Sequence, residues 1–301
     1  MILWLSLISI FKNFVVSSSL VKVILSRKGF DSSYGGFPSP ILPDQTLLSL
    51  PIPSPDDHIS YDDLQTPTGQ SYYELMSSLS PTLHHPNRGT VPLQSEYTCH
   101  LDPDLEVSTY PREKNWRPLF GQINQAQAHL HNQQIGPGDL FLFFGWYRQA
   151  EWEDGQLHFV PGAPDLHIIY GYLEIDNVLS VDSPDNVSKW MRYHPHVRNL
   201  SRLEQPTNTL YVAKNRLSWE PNSTGGGMLT YSPDLVLTQP GQTRSRWELP
   251  DLFRDVSMTY HSENSWSSEG YFESAKRGQE FVIEESPAIT HWAQSLVRNH
   301  I

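Results

Sequence analysis

The run Leu140-Phe141-Leu142-Phe143-Phe144-Gly145-Trp146 constrains this chain more than any other stretch. It is uninterrupted by any charge and follows the strong turn signal Gly136-Pro137-Gly138-Asp139. Such a run reads as a central buried strand, which needs neighbours along both edges and cover on both faces. Around it the chain breaks into short pieces. Its 24 prolines among 301 residues are about 8%, against a typical share of about 5%. Shaped turns between short elements follow, and coiled coil, collagen and a multi-span membrane protein are excluded.

The spacing predicts strands at Val21–Leu25, His167–Ile175, Thr209–Ala213, Gly227–Tyr231 and Glu280–Ile283. Helices are expected at Tyr72–Leu79, around Ile123–Gln133, at Trp190–Tyr193 and at Pro287–Val297. Asp31–Pro55 is rich in proline yet carries Phe37, Ile41, Leu47, Leu48, Leu50 and Ile52, so it reads as an ordered, extended loop over a core rather than a linker. No repeat or low-complexity tract interrupts this pattern. The expected fold class is α+β: a single β-rich domain of short strands with a few helices, with room for a partly separable lobe after Pro206.

Charge and cysteine content narrow the function. With 33 acidic and 21 basic side chains the formal net charge is −12, which argues against non-specific coating of nucleic acid. A local pocket for one nucleotide remains compatible with it. The single cysteine, Cys99, excludes a disulfide framework and a thiolate-rich zinc site. No G-x-S-x-G elbow, Walker loop or dinucleotide fingerprint is present. A cytoplasmic protein with no membrane partner is expected.

Residues 1–20 differ from the rest. Lys12 follows the apolar stretch Met1–Ile10, where a signal peptide wants its cation first. Lys12, Asn13 and Ser17–Ser19 interrupt any span of about 20 apolar residues. The domain is therefore expected to occupy 21–301, with 1–20 an extraneous, signal or mis-translated segment. If Val21 is a non-AUG start, an N-terminal mass spectrum finds no chain retaining Met1.

Several constellations could carry chemistry. Arg27-Lys28-Gly29-Phe30-Asp31-Ser32 follows a strand, and two cations, a flexible glycine and a hydroxyl can hold a phosphate or carboxylate. The bland alternative is a solvated turn. In His100-Leu101-Asp102-Pro103-Asp104 an extended backbone would turn the imidazole and both carboxylates to one face. That set could bind a divalent cation or supply a base with an orienting partner, or be an Asx turn. Trp146 and Gln122, with Arg148 nearby, are the candidates for stacking a nucleobase and reading its edge, while Phe141 and Phe143 read as core. His194-Pro195-His196 could ligate a metal, but a hydrogen-bonded surface pair is the expected state. Glu280 is either a base or a partner for a cation. The candidate catalytic residues are thus Asp31, His100, Asp102, Asp104 and Glu280. The candidate nucleotide-binding residues are Arg27, Lys28, Ser32, Gln122, Trp146 and Arg148. No metal ligand and no cofactor is assigned.

These motifs, together with Pro38-Ser39-Pro40-Ile41, Phe120-Gly121-Gln122, Gly138–Trp146 and Gln279-Glu280-Phe281-Val282, resemble the nucleotide modification associated domain 3 family from about Val21 to the C-terminus. That family is bacterial and viral. Its name reflects a proposed association with enzymes that modify bases in nucleic acid, so the resemblance implies a neighbourhood rather than a reaction. It also implies that residues 1–20 lie outside the domain. A shorter likeness, Gly138–Phe143 followed by His167–Ile175, is similar to the strand pair of PUA-like barrels, several of which enclose a modified or flipped base.

Three functions remain open from the sequence. The first is an enzyme binding, and processing, a nucleotide or flipped base in an aromatic pocket. The second is a non-catalytic reader of a modified base, which should tolerate Asp102→Asn and Glu280→Gln. The third is a structural or regulatory partner of base-modifying enzymes. The enzyme hypothesis requires Arg27, Asp31, His100, Asp102, Gln122 and Glu280 to gather around one cleft.

Overall fold

A computed structural model of the chain describes residues 21–276 and 278–301; the expectation for residues 1–20 lies outside them. The organising element is a nine-stranded mixed sheet. Its strands are β1 (Val23–Arg27), β2 (Ser39–Ile41), β3 (Leu119–Gln122), β4 (Leu140–Glu153), β5 (Gln156–Phe159), β6 (Leu166–Ser180), β7 (Thr209–Ala213), β8 (Gly226–Met228) and β9 (Glu280–Ile283). The main path runs β9-β1-β4-β6-β7-β3, with β2 and β5 paired to β4 and β8 to β6.

The hydrophobic run begins β4, and Leu140 to Phe144 are fully buried. β1 lies parallel to its first half, Val23 opposite Leu140 and Arg27 opposite Phe144. β6 lies antiparallel on its other side, with an irregularity between Ile169 and Gly171. The Gly138–Phe143 and His167–Ile175 segments are therefore sheet neighbours. Among the described residues the sheet closes into no barrel. Among these residues β1 is the only strand of this sheet beside β9, and β7 the only one beside β3; the two edges meet where Gln122 Nε2 donates to Glu280 Oε1.

The helices are α1 (Tyr72–Leu79), α2 (Asn124–Asn132), the short α3 (Pro195–Arg198) and α4 (Leu200–Leu203), and α5 (Pro287–His300). The expected helix at Trp190–Tyr193 is a single 3₁₀ turn at Lys189–Met191. A second hydrophobic cluster lies beside the main core, where Phe30, Phe37, Leu48 and Leu50 pack with Tyr61, Leu75 and Met76. It explains why the proline-rich 31–55 segment is ordered: its apolar side chains cover this second core while the prolines keep the backbone extended. No lobe separates after Pro206, because β7 and β9 both complete the main sheet. Among the described residues no helix is long and apolar enough to cross a membrane.

Candidate functional site

β1 ends at Arg27, and the chain leaves the sheet as a tight loop that forms one wall of a cleft of about 730 Å³. That volume lies in the range of small-molecule sites. Arg27, Lys28, Arg202, Arg244 and Lys276 all line it, so an acidic protein carries a locally basic cavity.

Arg27 donates to the backbone carbonyls of Lys276 and Gly278. Burial lowers its pKa, Asp31 and Glu280 oppose the change, and nearby Arg244 adds to it. Arg244 lies over the Trp146 ring, 4.0 Å from its centroid, and donates to Ser32 Oγ at 2.8 Å. Two guanidinium groups close enough to repel, beside a hydroxyl, make a place that an anion stabilises. Asp31 lines the same wall; its Oδ1 accepts from the amides of Ser33 and Tyr34 and so shapes the turn.

Behind this wall lies a buried polar set. Lys28 Nζ donates to Glu280 Oε1 at 2.7 Å and sits 4.7 Å from the centre of the Phe120 ring. Gln122 shares Glu280 Oε1, and its own Oε1 accepts from Ile123 N. Glu280 is 1% exposed, and among the described residues its Oε2 has no hydrogen-bond partner. His167, on β6, also lines the cleft. Burial, reinforced by Arg244 and Arg27, lowers its pKa to about 3. Its Nδ1 accepts from Trp247 Nε1 at 3.0 Å, so the neutral ring carries its proton on Nε2.

The opposite wall holds histidines around one carboxylate. Asp102 Oδ2 lies 3.6 Å from His100 Nε2 and 3.8 Å from His196 Nε2, and Oδ1 lies 3.3 Å from His194 Nε2. The amide of Gly121 on β3 donates to Asp102 Oδ1 at 2.7 Å. His100 Nδ1 meets Asp57 Oδ2 at 2.9 Å, and Arg202 closes on the other Asp57 oxygen. His196 Nδ1 meets Asn208 Oδ1 at 2.8 Å. Burial works against the charge on Asp102, yet His100, His194 and His196 hold its carboxyl far below the usual range. The same contest at Asp57 is won by His100 and Arg202. Burial also lowers His196, whereas at His100 the two carboxylates overcome burial and raise the pKa. One ligand atom from each of His100, Asp102 and His196 falls within 4.8 Å of the others, so these three could hold a metal ion.

The fold thus gathers Arg27, Lys28, Asp31, Ser32, His100, Asp102, Gln122 and Trp146 around one cleft, with Glu280 bonded directly behind it. Asp104 does not share the face of His100 and Asp102. It is 1% exposed, its carboxylate is gripped bidentately by Arg112 at 2.6 Å and bonded by Tyr193, and its backbone bridges to Leu119. Alternation fails because the chain there is a loop held by those partners, not an extended strand. Arg148 also faces elsewhere, with its guanidinium on Asp165. His194 and His196 are no surface pair: both are at least 98% buried, and His194 caps α3 by accepting from His196 N.

Sequence reasoning missed Asp57, Arg202, Arg244 and Lys276. Nothing local marks them, since Asp57, Arg244 and Lys276 lie in polar loops and Arg202 in the one-turn helix α4. The one available signal was His194-Pro195-His196 followed by Asn208, whose partners come from distant segments. A family model, nucleotide modification associated domain 3, matches residues 22–284, and its name links such chains to nucleotide modification in a general sense. No curated protein and no solved structure matches the chain.

Proposed function

The chain belongs to the nucleotide modification associated domain 3 family, and from that premise we propose that it binds a nucleotide, or a base extruded from nucleic acid, in the basic cleft and processes it there. The observation that carries this reading is convergence. Arg27, Lys28, Arg244 and Lys276 line the same cavity as His100, Asp102 and Trp146, on a chain of net charge −12. Phosphate binds the Arg27–Arg244–Ser32 side, where guanidinium forks match its oxygens. The base lies on the Arg244 guanidinium, a plane backed by Trp146 and suited to stacking. Gln122 braces Glu280 rather than reading a base edge, because both ends of its amide are engaged.

A non-catalytic reader needs only the stacking and phosphate groups. The buried His100–Asp102–His196 set, with its displaced protonation equilibria, favours processing.

Thermal shift of the full chain with nucleoside monophosphates, the matching nucleosides, inorganic phosphate and short single-stranded oligonucleotides tests the binding. Monophosphates or oligonucleotides should raise the melting temperature more than nucleosides, and Arg244→Gln should remove most of that shift. The proposal fails if none of these ligands shifts the protein, or if Arg27→Gln and Arg244→Gln bind as the parent does. Asp102→Asn decides between processing and reading: bound nucleotide without turnover supports an enzyme, and unchanged behaviour supports a reader.

A further inference from the structure

The geometry points to a divalent transition-metal site made by His100 Nε2, His196 Nε2 and Asp102 Oδ2, open towards the cleft. Tautomers carry the argument. His100 Nδ1 faces Asp57, a carboxylate that only accepts, so Nδ1 bears the hydrogen and the neutral ring has its lone pair on Nε2. Asn208 Nδ2 donates to the carbonyls of Val181 and His196. Its Oδ1 therefore accepts from His196 Nδ1, which again leaves the lone pair on Nε2. Both lone pairs face Asp102 Oδ2, at 3.6 and 3.8 Å.

The carboxylate is oriented in the same way. Gly121 N holds Asp102 Oδ1. His194 Nδ1 accepts from His196 N, so its Nε2 keeps its proton and stands 3.3 Å from Oδ1, outside hydrogen-bond geometry, instead of ligating. Each of the three ligands thus has an outer hydrogen bond that fixes it, the pattern expected of metal sites. Bonds of about 2.0–2.1 Å in a tetrahedron put ligand atoms about 3.3 Å apart, so each nitrogen need approach Asp102 Oδ2 by only a few tenths of an ångström, and all three ligand atoms already lie within 4.8 Å of one another.

Gly121 serves this arrangement too. A Cβ there would stand 2.3 Å from His196 Cδ2, so only glycine lets that imidazole lie against β3. Two imidazoles, one carboxylate and no thiolate select a first-row divalent ion over Mg²⁺ or Ca²⁺, which prefer all-oxygen shells. Three protein ligands with remaining positions open is the arrangement of catalytic rather than structural sites. His100, Asp102 and His196 line the cleft, so those open positions face it. The site stands on its own geometry; only its role towards a bound nucleotide rests on the function proposed above.

The test uses the metal alone, so failure of nucleotide binding cannot mimic its failure. The full chain is stripped with a chelator, exchanged into chelator-free buffer and titrated with Co²⁺, followed by visible absorption, then with Zn²⁺, Mg²⁺ and Ca²⁺ by calorimetry. One Co²⁺ should bind per chain and be displaced by Zn²⁺, with Mg²⁺ and Ca²⁺ far weaker. His100→Ala and His196→Ala should abolish the site, and Asp57→Asn, which loosens the His100 ring and weakens the Arg202 pair without removing a ligand, should weaken it about 10–100-fold. Exposed His291→Ala is the control, and circular dichroism shows whether each variant folds. If His196→Ala does not fold, Asp57→Asn alone decides. The inference is overturned if no transition ion binds stoichiometrically, or if the folded variants bind as the parent does. In the first case His100 and Asp102 form a simple imidazolium–carboxylate pair.

Discussion

Gly121 and Asp104 illustrate how differently neighbouring residues of one motif are used. Gly121→Ala must displace the His196 ring. We expect a loss of about 1–3 kcal/mol in stability by overpacking, read by urea denaturation, and a weaker Co²⁺ titration than the parent gives. Asp104 was a catalytic candidate by sequence, but its carboxylate is enclosed by Arg112 and Tyr193. Asp104→Ala leaves Arg112, whose side chain is 7% exposed, without its partner. It should cost about 3–5 kcal/mol while leaving ligand affinity of the folded fraction unchanged. Arg148→Ala, which breaks the partly exposed pair with Asp165 and removes a guanidinium lying over Phe159, should move stability by about 0–1 kcal/mol and leave binding untouched. A large loss of nucleotide affinity in that variant would restore Arg148 to the site.

At the scale of elements, local pattern and structure agree wherever burial is uniform or a cap is encoded. Tyr72–Leu79 is helical over the expected span. Ser71 and Glu74 form a reciprocal capping box at its start, and Ser71 Oγ also donates to Asp62. Ser71→Ala should therefore cost about 1 kcal/mol, measurable as a shift in the denaturation midpoint; no change would mean the cap is compensated. β7 and β9 match their expected limits for the same reason: each is short and buried throughout. β4 and β6 run further than their apolar cores, to Glu153 and Ser180. Their polar ends are held by ladder bonds to β5 and β7, which no side-chain pattern announces. His194-Pro195-His196 departs from its expected place on the surface because Pro195 starts a buried helix with His194 as its cap.

For the whole molecule the decisive feature is segregation of charge. Negative charge predominates overall, yet Arg27, Lys28, Arg202, Arg244 and Lys276 share one cavity. Affinity for a nucleoside monophosphate should therefore fall as salt rises from about 50 to 200 mM, with a slope of about one or two phosphate contacts rather than the steep slope of a long duplex footprint. A salt-independent affinity would place the ligand elsewhere. The cavity also imposes an acid limit on the fold. His167 is neutral in the folded protein, with its pKa near 3, whereas the unfolded chain protonates it near the ordinary value of about 6.5. Below that value the unfolded state binds the extra proton, so stability falls as the pH drops from about 6.5 towards 3. Between pH 7 and 5 the loss from His167 is about 2 kcal/mol. Urea midpoints of the parent and His167→Gln at the two pH values isolate it, and equal losses in both would refute it.

The sequence by itself determined the α+β class, the central strand, most helix and strand positions, and the family, because these follow from local periodicity, caps and contiguous motifs. It also pointed to most residues of the cleft, since Arg27–Ser32 and His100–Asp102 are each read within a few positions. Tertiary structure alone decided which of them meet. Asp57, the His100–Asp102 loop, Gly121 on β3, His196 on α3, Arg202 on α4 and Asn208 come from different parts of the chain, and their shared hydrogen bonds exist only once the sheet brings those segments together. It likewise turned Asp104 and Arg148 away, because a carboxylate or guanidinium goes to the partner nearest in space, and spatial nearness is set by the packed sheet and not by order along the chain.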